Sequence, residues 1–510
     1  LVFFCCSCLY HYHYFNKNLE ENKIYAFPFN TQKISVMFFS RCFLLIMVAH
    51  DIVSQSNQLS QQCLTKSSGD LPCIFPFIYK DEINFSCTRN YKMDGRLEGW
   101  CPTKVNRKNL EGSNWYECRS DSMCPLLHYH DHEHLIKSLV DLEKEYPSLS
   151  NTFQIGRSVR GQKILGIRIS EGLHIGSRKK LKPMVKLLAN MHGNEPVGRE
   201  LLLYFASYIL GSYGIDDRLT KFINTTDLWI VPTINPDGFA RASEGACEGG
   251  GYKEGRFNEG RKDLNRDFPT WMDIEKINLE EGRQTETKSL IQFILNYPFV
   301  LSANFHDGAV LVNYPWDDYH NNDTQTWVGL NKAPDHDVFY HLATTYSFNH
   351  PTMSKGNACT KWGLMKDGVT NGADWYPVIG GMQDFNYLFS NALEMTMELS
   401  CCKFPSRKVL IKEWDKNKES IISYIEQVHI GIKGLVLDRN DNPIGGATIK
   451  IRDPLSGKPS GKDVKSSKYG EYWKLLIPGK MYQVMGIKMT PEGSIYSSNW
   501  KDIFVSEGSA

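Results

Sequence analysis

His192 and Glu195 stand three positions apart where an apolar run, Leu187-Leu188-Ala189, stops. Imidazole and carboxylate are both ligands that zinc accepts, and a catalytic zinc takes three protein ligands and keeps one position open. A His-x-x-Glu alone arises often by chance, so this reading needs a third ligand and a base. His306 closes a second apolar run, Leu301-Ser302-Ala303-Asn304-Phe305. Glu398 lies inside a third, Met395-Thr396-Met397-Glu398-Leu399. A buried carboxylate is costly unless it is paired or faces a cation, so Glu398 is expected to face a polar site where zinc supplies the positive charge. His192, Glu195 and His306 therefore read as metal ligands, and Glu398 as the base.

The elements that must position these groups alternate. Residues 135–146 read as an amphipathic helix and 164–170 as a strand, followed by strand 184–191 and helix 197–210. Pro196 suits the first position of that helix. Strand 228–233, helix 285–295, strand 299–305 and strand 393–399 complete the pattern. Strands alternating with helices indicate an α/β domain with a mixed sheet covered on both faces. In such sheets ligands bind beyond the strand ends, where the candidate ligands fall.

A chain of 510 residues is long enough for several domains and a large core. The net charge of +1 gives no argument for nucleic acid or an anionic membrane. Residues 1–36 lack clear periodicity and are expected not to belong to the mature protein. Residues 37–55 hold a basic residue, Arg41, followed by a short apolar run, 42–49. This is a signal-peptide pattern, too short to span a membrane, and no transmembrane segment is expected in the mature chain. Of the fourteen Cys, six fall between Cys63 and Cys124, which reads as a disulfide framework formed in an oxidising, secretory compartment. Asn84, Asn224 and Asn322 open glycan-acceptor triplets.

Within residues 63–124 the run Cys73-Ile74-Phe75-Pro76-Phe77-Ile78-Tyr79, the Trp100-Cys101 pair and Trp115-Tyr116-x-Cys118 resemble a fibronectin type II module. The resemblance implies Cys73–Cys101 and Cys87–Cys118 pairs, with Cys63 and Cys124 free to pair with each other. It also raises collagen or gelatin as a partner through an exposed aromatic patch, against a spacer whose aromatics form its core. The gap from Cys87 to Trp100 is longer than is usual for the family.

Over residues 128–428 the ordered motifs are His192-Gly193-Asn194-Glu195, Asn235-Pro236-Asp237-Gly238, Asp263-Leu264-Asn265-Arg266-Asp267-Phe268-Pro269, Ser302-Ala303-Asn304-Phe305-His306, Asn313-Tyr314-Pro315-Trp316-Asp317-Asp318, Gly380-Gly381-Met382-Gln383-Asp384 and Glu398-Leu399-Ser400-Cys401. Together they resemble the zinc metallocarboxypeptidases, in particular the regulatory branch of carboxypeptidases E, N, M and D. The resemblance implies one zinc ion on His192, Glu195 and His306, and Glu398 as the residue that takes the proton from the attacking water. It implies Arg256 as the oxyanion-stabilising arginine. Asn265, Arg266 and Tyr376 match the residues that hold the substrate's terminal carboxylate. Asp317, with Gln383 beside it, matches the acid that pairs with a substrate Lys or Arg. Two departures stand out. Asp307 follows His306 where the family has Gly. Cys402 follows Cys401 where the family has an acid, which leaves an adjacent pair not expected both to form disulfides.

Residues 429–510 lack helical periodicity, and short apolar alternations are separated by turn residues such as Asn442-Pro443 and Pro478-Gly479. They suggest a small all-β sandwich and resemble the transthyretin-like domain of that branch. The sequence therefore predicts a secreted zinc carboxypeptidase that removes C-terminal Lys or Arg from peptides and proteins. Trimming of peptide precursors left with basic ends by endoproteolysis is the expected use. The alternative is a non-catalytic or collagen-tethered binding protein that keeps the fold.

Overall fold

A computed structural model describes parts of 71–118 and residues 129–173, 180–319 and 329–506. The 1–36 extension, the 37–55 signal pattern, the Cys63–Cys124 pairing and the acceptor at Asn322 lie outside the described residues.

The centre is an eight-stranded mixed sheet. Its strands are β1 (Ser150–Arg157), β2 (Lys163–Ile169), β3 (Met184–Ala189), β4 (Asp227–Val231), β5 (Phe299–His306), β6 (Leu311–Tyr314), β7 (Val369–Asn371) and β8 (Leu393–Glu398). The order across the sheet is β7-β6-β8-β5-β3-β4-β2-β1. The middle four, β8, β5, β3 and β4, are parallel to one another. Every residue of these four is buried, as strands covered on both faces are, and their polar side chains are buried too: Lys186 pairs with Glu394 and Ser302.

Helices cover both faces. Val185, Leu187 and Ala189 of β3 point into one core, shared with α1 (His132–Glu145), α2 (Val197–Gly211), α3 (Asp217–Thr225), α5 (His336–Phe348) and α7 (Leu410–Glu426). Met184 and Leu188 point into the other, shared with α4 (Thr285–Asn296) and α6 (Met382–Phe389). The period-two split along one strand is what a sheet buried on both sides requires. Val197 is the first helical residue of α2, as the 197–210 reading has it, and Pro196 occupies the cap position before it rather than the first helical position.

Among its described residues the N-terminal module forms three short antiparallel pairs, the longest joining Trp100–Val105 to Gly112–Glu117. Cys73 is bonded to Cys101 and Cys87 to Cys118, as the resemblance implies. Phe77 meets Trp115 edge-on at 5.1 Å between ring centres. Beyond α7, β9 (Ile432–Leu435) pairs with β12 (Glu471–Lys474). A second sheet contains β10 (Thr448–Arg452), β11 (Val464–Lys465), β13 (Lys480–Met489), β14 (Ile495–Ser497) and β15 (Lys501–Val505). Ile449, Val464 and Val484 of that sheet share one apolar cluster with Ile432 and Tyr472 of the first, so the two sheets pack on each other.

Candidate active site

Three neighbouring parallel strands end together. In the register of β5 against β8, His306 lies opposite Glu398, and in that of β5 against β3, Phe305 lies opposite Ala189. The chain leaving β3 therefore emerges beside the ends of the other two, as expected beyond the carboxyl ends of a parallel sheet. Asn190 turns it there with φ +56°, a conformation Asn tolerates better than most residues. Its side-chain amide donates to the carbonyls of His192 and Gly193 at 2.9 and 3.0 Å, while its Oδ1 accepts from Thr233 at 2.9 Å. At Gly193 a Cβ would fall 2.2 Å from the backbone of Gly238 and Phe239. A side chain there would displace the loop that carries both candidate ligands.

The three donor groups converge. Glu195 Oε2 lies 2.9 Å from His192 Nδ1 and 2.9 Å from His306 Nδ1, and the two imidazole nitrogens are 3.1 Å apart. All three residues are buried. His192 turns its other nitrogen, Nε2, to Asp263 Oδ1 at 2.9 Å, which places the proton on Nε2 and leaves the Nδ1 lone pair facing the cluster. Lone pairs and a carboxylate oxygen aimed at one point repel one another unless a cation lies between them. This donor set fits zinc.

Charge around the cluster is arranged in layers. Burial alone would raise the Glu195 carboxyl, but His192 and Lys403 hold it well below the usual range. Arg256 reaches Glu195 Oε1 at 3.0 Å and donates through Nε to Asp263 Oδ2, also at 3.0 Å. The Lys403 ammonium also donates to Glu195 Oε1. Lys403 is not apparent from the sequence: it sits in a short loop past β8, and only the folded chain brings it to Glu195. Glu398 is buried, and its Oε2 has no hydrogen-bond partner among the described residues. Burial pushes its carboxyl up to about 7.

Asp307 makes no side-chain hydrogen bond to the neighbouring ligand His306 among the described residues. Its Oδ2 instead accepts the backbone N–H of Val197 at 3.0 Å. Pro196 offers no capping side chain, so Asp307 caps α2 from another strand end by accepting one of its free backbone N–H groups.

One cleft is lined by His192, Glu195, Arg256, Asn265, Arg266, His306, Asp317, Tyr376 and Glu398. Asn265 Oδ1 accepts the backbone N–H of Met382 at 3.0 Å. Tyr376 stands at the mouth, 37 % exposed. Asp317 is buried, and its Oδ1 accepts from Asn313 and from Gln383, each at 3.0 Å. Gln383 does not line the cleft; it holds Asp317 from behind, with its own carbonyl accepting from Thr396 at 2.9 Å. Asp318 is also absent from the lining, and its backbone N–H is tied to Asp384 at 3.0 Å. Burial pushes the Asp317 carboxyl up to about 7 and raises that of Asp384 as well.

Both adjacent cysteines form disulfides, contrary to expectation: Cys247 with Cys402 and Cys359 with Cys401. Two loops distant in sequence converge on the end of β8, so each cysteine finds a different partner. Cys247, Lys361, Trp362 and Cys401 form part of the cleft rim.

Comparison with known proteins agrees with this geometry. The family described as zinc carboxypeptidase matches residues 135–420, and the fibronectin type II domain matches residues 73–118. Carboxypeptidase D of Drosophila melanogaster is 46% identical over 361 residues, which are 70% of this chain and 25% of that protein. The chain thus spans a quarter of the length of that relative. Carboxypeptidase M of Mus musculus is 38% identical over 351 residues, 69% of this chain and 76% of the relative. The carboxypeptidase N catalytic chain of Homo sapiens is 37% identical over 369 residues, 69% of this chain and 78% of the relative. A match over more than half of the chain, with relatives at 37–46% identity over about 70% of it, identifies the chain as a metallocarboxypeptidase of the zinc carboxypeptidase family, with a fibronectin type II module ahead of the catalytic domain.

Proposed function

We propose that the protein removes C-terminal Lys or Arg from peptides and proteins, with zinc held by His192, Glu195 and His306. A bound zinc ion supplies an acidified water and a Lewis acid for the scissile carbonyl. The chain supplies the rest. Glu398, buried with a free oxygen, takes the water's proton and passes it to the departing amine. Burial, which raises its carboxyl, suits it to accept a proton and then give it up. Arg256, fixed by Glu195 and Asp263, stabilises the negative charge that develops on the carbonyl oxygen. Oxyanion donors of this kind contribute about 3–4 kcal/mol. Arg266 presents a fork that suits the two oxygens of a free C-terminus, and Asn265 and Tyr376 complete that recognition.

Basic specificity rests on one observation. Asp317 is a buried carboxylate on the cleft wall, with one oxygen held by two amides. Such a group favours a substrate cation and disfavours apolar side chains, which would leave it unpaired. The decisive assay offers matched peptides ending in Arg, Lys, Leu or Glu. Release of Arg and Lys, abolished by a chelator and restored by zinc, is expected; equal release of all four ends would overturn the specificity.

The signal pattern at 37–55 and the four disulfides among the described residues support a secretory route. The fibronectin type II module, with Tyr116 exposed on its surface, supports collagen or gelatin as a tethering partner. The full chain is expected to be retained on immobilised gelatin at physiological salt, and elution in the void volume would remove that partner.

A further inference from the structure

Helix α6 carries the specificity pocket on its first turn. Gln383 holds Asp317 Oδ1 at 3.0 Å. The Asp384 carboxylate accepts the backbone N–H groups of Asp317 and Asp318 at 3.0 Å. Met382 N–H donates to Asn265. The placing of Asp317 therefore depends on where this helix starts.

The helix ends against the β domain. Lys462, in the loop before β11, sends its ammonium to the carbonyls of Tyr387 and Ser390, the latter at 2.9 Å, and lies 5.0 Å over the Tyr387 ring. The last carbonyls of a helix have no partner within it, and a cation there is favoured by the dipole. Around this contact the two domains are clipped together. Asp335 accepts from Tyr387 Oη at 2.6 Å and from the backbone N–H of Lys462 at 3.0 Å, and Lys474 Nζ lies 2.6 Å from its other oxygen. The helix has eight residues, so its two ends are only about 12 Å apart. A rigid rod of two turns that shifts at its last carbonyls shifts Gln383 and Asp384 with it.

We propose that Lys462 is a positioning residue for substrate specificity: by fixing the C-terminal end of α6, the β domain sets the pocket around Asp317. This rests on the reading of Asp317 as the partner of a basic side chain. The alternative is an interdomain clip that contributes stability alone.

The test uses the full, zinc-loaded chain and steady-state kinetics on paired peptides ending in Arg and in Ala. Lys462→Met is expected to raise KM for the Arg peptide about five- to thirtyfold, with kcat within about twofold and the Arg-over-Ala preference falling in step. Lys462→Arg, which keeps the cation, is expected to recover most of the preference. If Lys462→Met does not fold, Tyr387→Phe, which removes both hydrogen bonds between the Tyr387 hydroxyl and Asp335 and keeps the ring, is expected to act in the same direction with a smaller amplitude. A lowered melting temperature with KM and preference unchanged would overturn the proposal, as would a fall in kcat common to both peptides. If the parent chain prefers Arg and Lys462→Met preserves that preference, this inference alone falls; if the parent shows no preference for Arg, the reading of Asp317 falls with it.

Discussion

At the scale of single residues, Asp317 makes the most specific claim. Burial holds its carboxyl up near 7, above the ordinary 3.8, so the free enzyme loses the anion as pH falls through neutrality. kcat/KM for peptides ending in Arg should therefore drop below about pH 7 more steeply than for peptides ending in Ala. A bound substrate cation stabilises the anion, so kcat for the Arg peptide should hold to lower pH, because it reports the complex rather than the free enzyme. In Asp317→Asn the difference between the two peptides should vanish; parallel pH profiles in the parent chain would refute the assignment. The ligands and the base were legible because each sits where an apolar run stops or carries a charge inside one, whereas Asp317 was legible only through the resemblance to the family. Lys403 and Asp263 were not legible as partners of the metal cluster: their contacts with Glu195 and His192 are made across 208 and 71 positions of chain, and nothing local marks them. Asp307 was visible as an anomaly, but its partner, the start of α2, is a property of the fold.

At the scale of elements, the site is a consequence of strands that stop in register. The central strands were readable because burial on both faces makes them predominantly apolar, even with Lys186, Asn304 and Glu394 inside them. The edge strands β1 and β7 and the short strand β6 beside β7 were not singled out, being short or half exposed, and α5 and α7 lie in stretches where no candidate ligand drew attention to the periodicity. What the sequence could not show is that β3, β5 and β8 are neighbours, since their pairing is long-range. The loop after β3 is the least tolerant part. Gly193→Ala would drive a methyl group into the backbone of Gly238 and Phe239, so the loop must shift and take His192 and Glu195 with it. Zinc affinity measured by competition with a chromophoric chelator should fall about 10- to 100-fold, the range typical when support around metal ligands is lost. A folded variant with unchanged affinity would show that the close approach is not needed.

At the scale of the whole molecule, a bound ion would join segments that are far apart in the chain, from residue 192 to 306, and stand beside the end of β8. Binding to the folded chain alone stabilises it by mass action, about 2.7 kcal/mol at a hundred times the dissociation constant. Chelation should lower the melting temperature, zinc should restore it, and His306→Ala should show no such dependence; a melting curve indifferent to metal would argue against a site shared by the folded core. The pairing of Cys401 and Cys402 has a consequence of another kind. Both loops that furnish Cys247 and Cys359 are anchored to consecutive residues at the end of the strand that carries Glu398. That stretch of rim is then a fixed aperture rather than a pair of gates. Peptides should then be sorted by whether an end can be threaded past it, and turnover on a good substrate should be governed by chemistry or product escape, not by the swinging of those loops.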